Sequence, residues 1–210
     1  MKKLKLFLSL AVFVSITFTS CIKHEVIPAP VPLVDLVCFF DGFVNGAPLT
    51  LTQNVNGIYG LAEKAQNILP APAFSNERFY FTMLTPQNSR SITIGLGSVF
   101  WDGAVDTNPT TVQFNTFHAN NLNPLFSDGA LSGCEVRYKD SNGKIWLSHE
   151  NSTNFQDATF QIVEQASDST GDYSRFNCIF DCYVYNQDPI TLAWDSMRVQ
   201  ATQFKGWYKR

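Results

Sequence analysis

The sequence predicts an all-β protein: an antiparallel β-sandwich, or flattened barrel, of about ten strands behind a signal peptide and a proline-rich tether. Three observations predict it. The 210 residues include 18 Phe, 7 Tyr and 4 Trp alongside Val and Thr, side chains that suit a pleated, half-buried surface. Short apolar runs alternate with turn signals at intervals of roughly 8–15 residues. No helical stretch is long enough to form the crossovers of a parallel sheet. The aromatic content also excludes a disordered chain.

Residues 1–20 read as a lipoprotein signal peptide. Lys2, Lys3 and Lys5 form the basic start, and Leu6–Thr17 is an apolar run. At about a dozen residues it is too short to span a bilayer, and Phe18-Thr19-Ser20 leads to Cys21, the expected lipid attachment point. Phe18 in place of the usual aliphatic residue resembles the looser lipidation motif of Bacteroidota. Acyl chains on Cys21 would then be the membrane anchor, each buried methylene contributing about 0.8 kcal/mol. Residues 21–34 form the tether, where Pro28, Pro30 and Pro32 favour a stiff extended spacer reaching roughly 40 Å. Residues 35–210 form one domain.

Within it, Leu36–Val44 is a strand that turns at Asn45-Gly46 into Ala47–Thr52, a hairpin signature. Asn56-Gly57 precedes Ile58–Ala62, and Glu63–Leu69 reads as a short helical piece stopped by Pro70 and Pro72. Arg78–Leu84 and Ser91–Val99 alternate with period two. In the Asn- and Pro-rich stretch from 107 to 125, Thr111–Phe117 reads as a strand. Cys134–Lys139 and Lys144–Ser148 form a hairpin about Asp140-Ser141-Asn142-Gly143, and Ala158–Glu164 with Arg175–Tyr185 forms another. Met197–Tyr208 closes the sheet.

Several of these segments carry a likeness. Phe43-Val44-Asn45-Gly46 ends the first strand, Gly143-Lys144-Ile145-Trp146 precedes the strand Ala158-Thr159-Phe160-Gln161-Ile162, and Phe176-Asn177-Cys178 leads to Phe204-Lys205-Gly206-Trp207. In this pattern the chain resembles a family of uncharacterised Bacteroidota lipoproteins of about 200 residues, close to its own 210. Leu49 stands where that family usually has an aromatic, and the closing strand lacks its usual Asn-Gly. The resemblance implies a β-sandwich lipoprotein of the cell envelope, lipid-anchored in the outer membrane and facing either the periplasm or the cell surface.

Composition narrows the chemistry. Losing Lys2, Lys3 and Lys5 with the signal peptide takes the formal charge from −3 to −6, which argues against nucleic acid as a partner. Cys38, Cys134, Cys178 and Cys182 allow two disulfides in an oxidising compartment. Cys178 and Cys182 share one strand at roughly 13 Å, beyond bridging reach. Cys38 or Cys134 bridged to one of them is therefore expected, against the alternative of four buried thiols.

His24, His118 and His149 lack the spacing for a metal site, no cofactor motif occurs, and no Gly-x-Ser-x-Gly elbow is present. Asp102–Asn108 offers oxygen ligands, but Asx turns explain it better than calcium. The protein is therefore expected to be non-enzymatic, binding a ligand, a glycan or an envelope protein. Trp146 and Trp207 belong to the expected core, while Trp101 and Trp194, beside loop residues, are the candidates for stacking on a sugar. The alternative is a structural or adhesive subunit that assembles through sheet edges.

Overall fold

The computed structural model describes residues 31, 33–86, 90–128, 132–149 and 152–210. The expected signal peptide, Cys21 and most of the expected tether lie outside them. The described chain is all-β with one short helix. Its strands are β1 (Phe39–Val44), β2 (Ala47–Thr52), β3 (Tyr59–Asn67), β4 (Ser75–Leu84), β5 (Ser91–Trp101), β6 (Gly133–Lys139), β7 (Ile145–Ser148), β8 (Asp157–Asp168), β9 (Gly171–Gln187) and β10 (Trp194–Lys209). The helix α1 (Thr111–Asn120) lies between β5 and β6.

Strand pairing is antiparallel, in the order β2-β1-β10-β9-β7-β6-β5-β4-β3, with β8 also on β9. Turn chemistry sets much of this. Asn45 and Gly46 both take positive φ, 49° and 79°, as a two-residue hairpin turn with the right twist requires. The turn between β8 and β9 is tighter than the sequence suggests, only Ser169 and Thr170 separating the strands. At its edge the Asp168 carboxylate accepts N–H bonds from Thr170, Leu33 and Val34, so residues 33 and 34 are fastened to the β8–β9 turn. The Thr170 hydroxyl and these amides hold the Asp168 carboxyl well below the usual carboxylate range.

Strands β9 and β10, 17 and 16 residues long, form the spine. One edge of β9 carries β8 as far as Asp181, then β7 at Val184 and Tyr185, so the sheet forks there. The segment 122–127 stitches the fork. Ser127 N–H donates to Cys134 O at 2.6 Å, Cys134 N–H to Leu125 O at 2.7 Å, and Phe160 N–H to Leu122 O at 2.7 Å.

The sheet curls into a half-barrel and buries its inner face against itself. Phe81 is the knob at the centre. It meets Trp207 at 4.6 Å, Phe176 at 5.9 Å and Phe204 at 5.9 Å between ring centroids. Two glycines make room for it. A Cβ on Gly60 would stand 2.7 Å from Phe81 Cζ and from Cys38 Sγ, and one on Gly206 would collide with Phe81 Cδ1 and lie 2.9 Å from Phe176 Cζ.

Two expected elements are corrected. Thr111–Phe117 is helical, not a strand, and its start is a capping box: Thr110 Oγ1 accepts Gln113 N–H while Gln113 Oε1 accepts Thr110 N–H. Only Phe114 and His118 of this helix are buried, one turn apart, so no broad apolar stripe marks it. The expected helical piece from Glu63 is instead the second half of β3. Its ladder to β4 runs unbroken from Tyr59↔Leu84 to Asn67↔Asn76, and Lys64 reaches the buried Glu77 carboxylate at 3.4 Å.

His118 plugs one end of the core, stacked on Tyr208 at 4.8 Å, which in turn stacks on Phe176 at 4.7 Å. Its Nδ1 faces Phe114 O at 2.9 Å, and burial pushes its pKa down to about 3.

Two tests follow from this packing. Gly206→Ala should cost about 1–3 kcal/mol in urea denaturation through overpacking, with part of the loss recovered when Phe81→Leu is added. Between pH 6.5 and about 3 the unfolded chain protonates His118 while the native site refuses the proton, so stability should fall as pH drops through that window. His118→Phe should flatten that slope; an unchanged slope would assign the acid sensitivity elsewhere.

Candidate functional site

The β9–β10 hairpin presents an aromatic platform. Asp188 Oδ1 accepts N–H bonds from Ile190 and Thr191 at 2.8 Å, closing the loop. Trp194 opens β10 opposite Gln187 and is 59% exposed. Two pairs further in, Ser196 faces Tyr185, which also pairs with Leu147 of β7. Side chains two residues apart on a strand share a face, so Trp194, Tyr185 and His149 all point outward together. The His149 ring stands edge-on to both, 6.1 Å from Tyr185 and 6.1 Å from Trp194.

Polar groups ring the platform. Tyr185 Oη bonds Ser152 Oγ at 2.6 Å and accepts from Asn154 Nδ2 at 2.9 Å, while Asp128 lies 3.8 Å from His149 Nε2. His149, Ser152, Thr153, Tyr185 and Trp194 enclose a cup of about 210 Å³. An indole face beside hydroxyl, amide and imidazole groups can stack on an apolar ring face and hydrogen-bond to its rim.

A larger groove of about 850 Å³ opens at the fork of the sheet. Phe100, Asn121, Asn123, Gln156 and Asp157 line it above Gly97 and Gly133, which pair directly across β5 and β6. Beneath one wall lies a buried ion network. Glu135 takes Arg78 at 3.0 Å and Arg137 at 2.8 Å, and Arg78 also donates to Ser127 Oγ and Ser132 O, clamping both ends of the 127–132 connection onto the sheet.

Of the two tryptophans expected to be exposed, Trp194 is exposed and Trp101 is not. Trp101 is 2% exposed, its Nε1 donating to Asp106 O at 2.9 Å. The cause is a β-bulge: Arg78 pairs with Gly97 and Glu77 with Val99, leaving Ser98 as an extra residue. That extra residue reverses the alternation, turning Val99 and Trp101 inward and Phe100 outward. Gly95 and Gly97, which mark strand irregularity, were the sequence signal for it. Trp146 and Trp207 are buried as expected, at 5% and 7%.

The disulfide expectation is not met either. Cys38, Cys134, Cys178 and Cys182 are free, buried thiols. The three on β6 and β9 point into the apolar interior, and burial pushes their thiols up, far from the thiolate that exchange requires. Cys38 is raised to about 11 by the same cause. Cys21 lies outside the described residues.

Asp102 Oδ1 accepts Ala104 N–H at 2.9 Å, an Asx turn. Among the described residues no group of three or more His, Cys, Asp or Glu side chains is placed to hold a metal ion. Sequence reasoning missed His149 and Tyr185 because they are brought to Trp194 only by the β7–β9–β10 register. It missed the groove because 122–127 reads as irregular chain.

No family model matches the chain, and no curated protein or solved structure matches it either.

The two tryptophans should separate cleanly. Trp101→Ala should destabilise by about 3–5 kcal/mol as a large core truncation, while Trp194→Ala should stay within about 0.5 kcal/mol. Iodide quenching of indole fluorescence should lose its accessible component in Trp194→Phe alone. Quenching that survives that substitution would place another indole at the surface.

Proposed function

We propose that this protein is a non-enzymatic envelope lipoprotein that holds carbohydrate on the Trp194 platform. The observation that carries the proposal is an indole 59% exposed at a strand end, walled by His149 and Tyr185 and rimmed by Ser152 and Asn154. A large apolar ring left in water on a polar-rimmed surface is a feature of binding sites.

In this proposal Cys21 carries the lipid, the tether sets the stand-off from the outer membrane, and the domain is a member of the Bacteroidota lipoprotein family its turn and packing motifs resemble. Its finer architecture is a flattened barrel rather than a two-layer sandwich, supported by the continuous strand order and by the meeting of Gly60 and Gly206 around Phe81.

A second reading, assembly through sheet edges, draws on β3. It pairs with β4 alone and leaves Tyr59 and Leu61 45% and 40% exposed. Glu63 and Lys64 on the same strand act against edge-to-edge pairing, which ranks this reading second.

A glycan array probed with the protein should give saturable binding that weakens at least about tenfold in Trp194→Ala. A blank array, or hits indifferent to that substitution, would remove the carbohydrate reading. Concentration-dependent polymerisation would then favour the edge.

A further inference from the structure

We propose that the groove at the fork of the sheet is the second half of one extended site, so that the ligand is a neutral oligosaccharide running from Trp194 past His149 and Gln156 to Phe100. The extension rests on the Trp194 platform being a sugar site.

The two concavities have separate linings that are joined by a hydrogen bond between Gln156 and His149. Gln156 lines the groove, and its Nε2 donates to the backbone carbonyl of His149, a residue of the platform, at 2.9 Å. On the other side, Asp128 approaches His149 Nε2 at 3.8 Å, two residues beyond Phe126 of the groove. His149 is thus held between the two.

The groove offers what a sugar needs. Phe100 is 50% exposed and supplies an aromatic face. Asn121 commits its Nδ2 to Phe117 O and Asn123 its Oδ1 to Thr159 Oγ1, which leaves Asn121 Oδ1 and Asn123 Nδ2 without partners among the described residues. Gln156 Oε1 is buried and also has no protein partner among the described residues. Among the described residues the lining carries one carboxylate, Asp157, and no basic side chain, which suits a neutral hydroxyl-rich ligand and not an anionic one.

An extended peptide fits less well. Strand addition needs free main-chain groups, and the edges of β6 and β8 that face the groove already bond to residues 122–127.

The test is calorimetric titration of the full protein with cello-, xylo-, manno- and chito-oligosaccharide ladders from monosaccharide to hexasaccharide. Affinity should rise at least about tenfold with chain length, as a second subsite adds contacts. Phe100→Ala should erase the gain with length while leaving monosaccharide binding unchanged, and Trp194→Ala should weaken every rung. Asn123→Ala, at an exposed position, repeats the Phe100 experiment should that variant fold poorly. Affinity that is flat with length yet sensitive to Trp194 would overturn the extension and spare the platform. A length gain that survives both groove variants would do the same. Absence of binding across all ladders, or binding indifferent to Trp194→Ala, would overturn both.

Discussion

A single antiparallel sheet has one face to bury and, without a second layer, only itself to bury it against. Everything else in this protein depends on how that is solved. Phe81 lodges between Gly60 and Gly206, two positions where a methyl group would not fit, so opposite limbs of the sheet close around one aromatic ring. Phe176, Phe204 and Trp207 then pack about it at edge-on and tilted angles, the geometry aromatic rings prefer. The curl in turn leaves ends and a fork that regular ladders cannot cover. α1 plugs one end with Phe114 and His118, and the 122–127 segment stitches the fork with main-chain bonds. The candidate site occupies these places where the ladder gives out.

Much of the fold was legible because hairpins announce themselves locally. Asn45-Gly46, the Asp140–Gly143 turn and the alternation in β4, β5 and β9 each specify structure within a few residues, and the strands fall where those signals put them. What was not legible is what depends on distant pairing. The β3 ladder overrides weak helical propensity after Ala62. α1 has only two buried side chains, so its periodicity is faint; its capping box was the one local signal and was outweighed by β-branched neighbours. The bulge at Ser98 cost most, because one inserted residue exchanges inside for outside and so swapped Trp101 for Phe100 as the exposed aromatic.

The candidate site divides along the same line. Trp194 could be placed at the surface from its own neighbours, since a strand beginning directly after a loop tip leaves its first side chain little to pack against. His149 and Tyr185 could not, because they lie 45 and 9 positions away and are gathered by register alone. The cysteines show the reverse error. An even count invited a disulfide framework, yet a core that buries nine of the described phenylalanines and three tryptophans has no need of staples, and small thiols simply fill its gaps.

Polar groups inside this core are unevenly served, and the pattern separates scaffold from site. Glu135 is satisfied from both sides by Arg78 and Arg137, which fixes the wall carrying Ser132 and Gly133. Removing one partner of such a buried pair strands the other charge, so the network holds the wall in one arrangement. His118 Nε2 and Tyr208 Oη lack partners among the described residues as well, but both are sealed in the aromatic interior, where no ligand can reach them. Gln156 Oε1 differs because its residue lines an open groove. A buried acceptor beside a cavity can be met by a donor that enters it, water or ligand. A rigid wall, a half-exposed ring and an unmet acceptor at one seam are the elements of a preorganised binding site, since binding there costs little ordering of the protein.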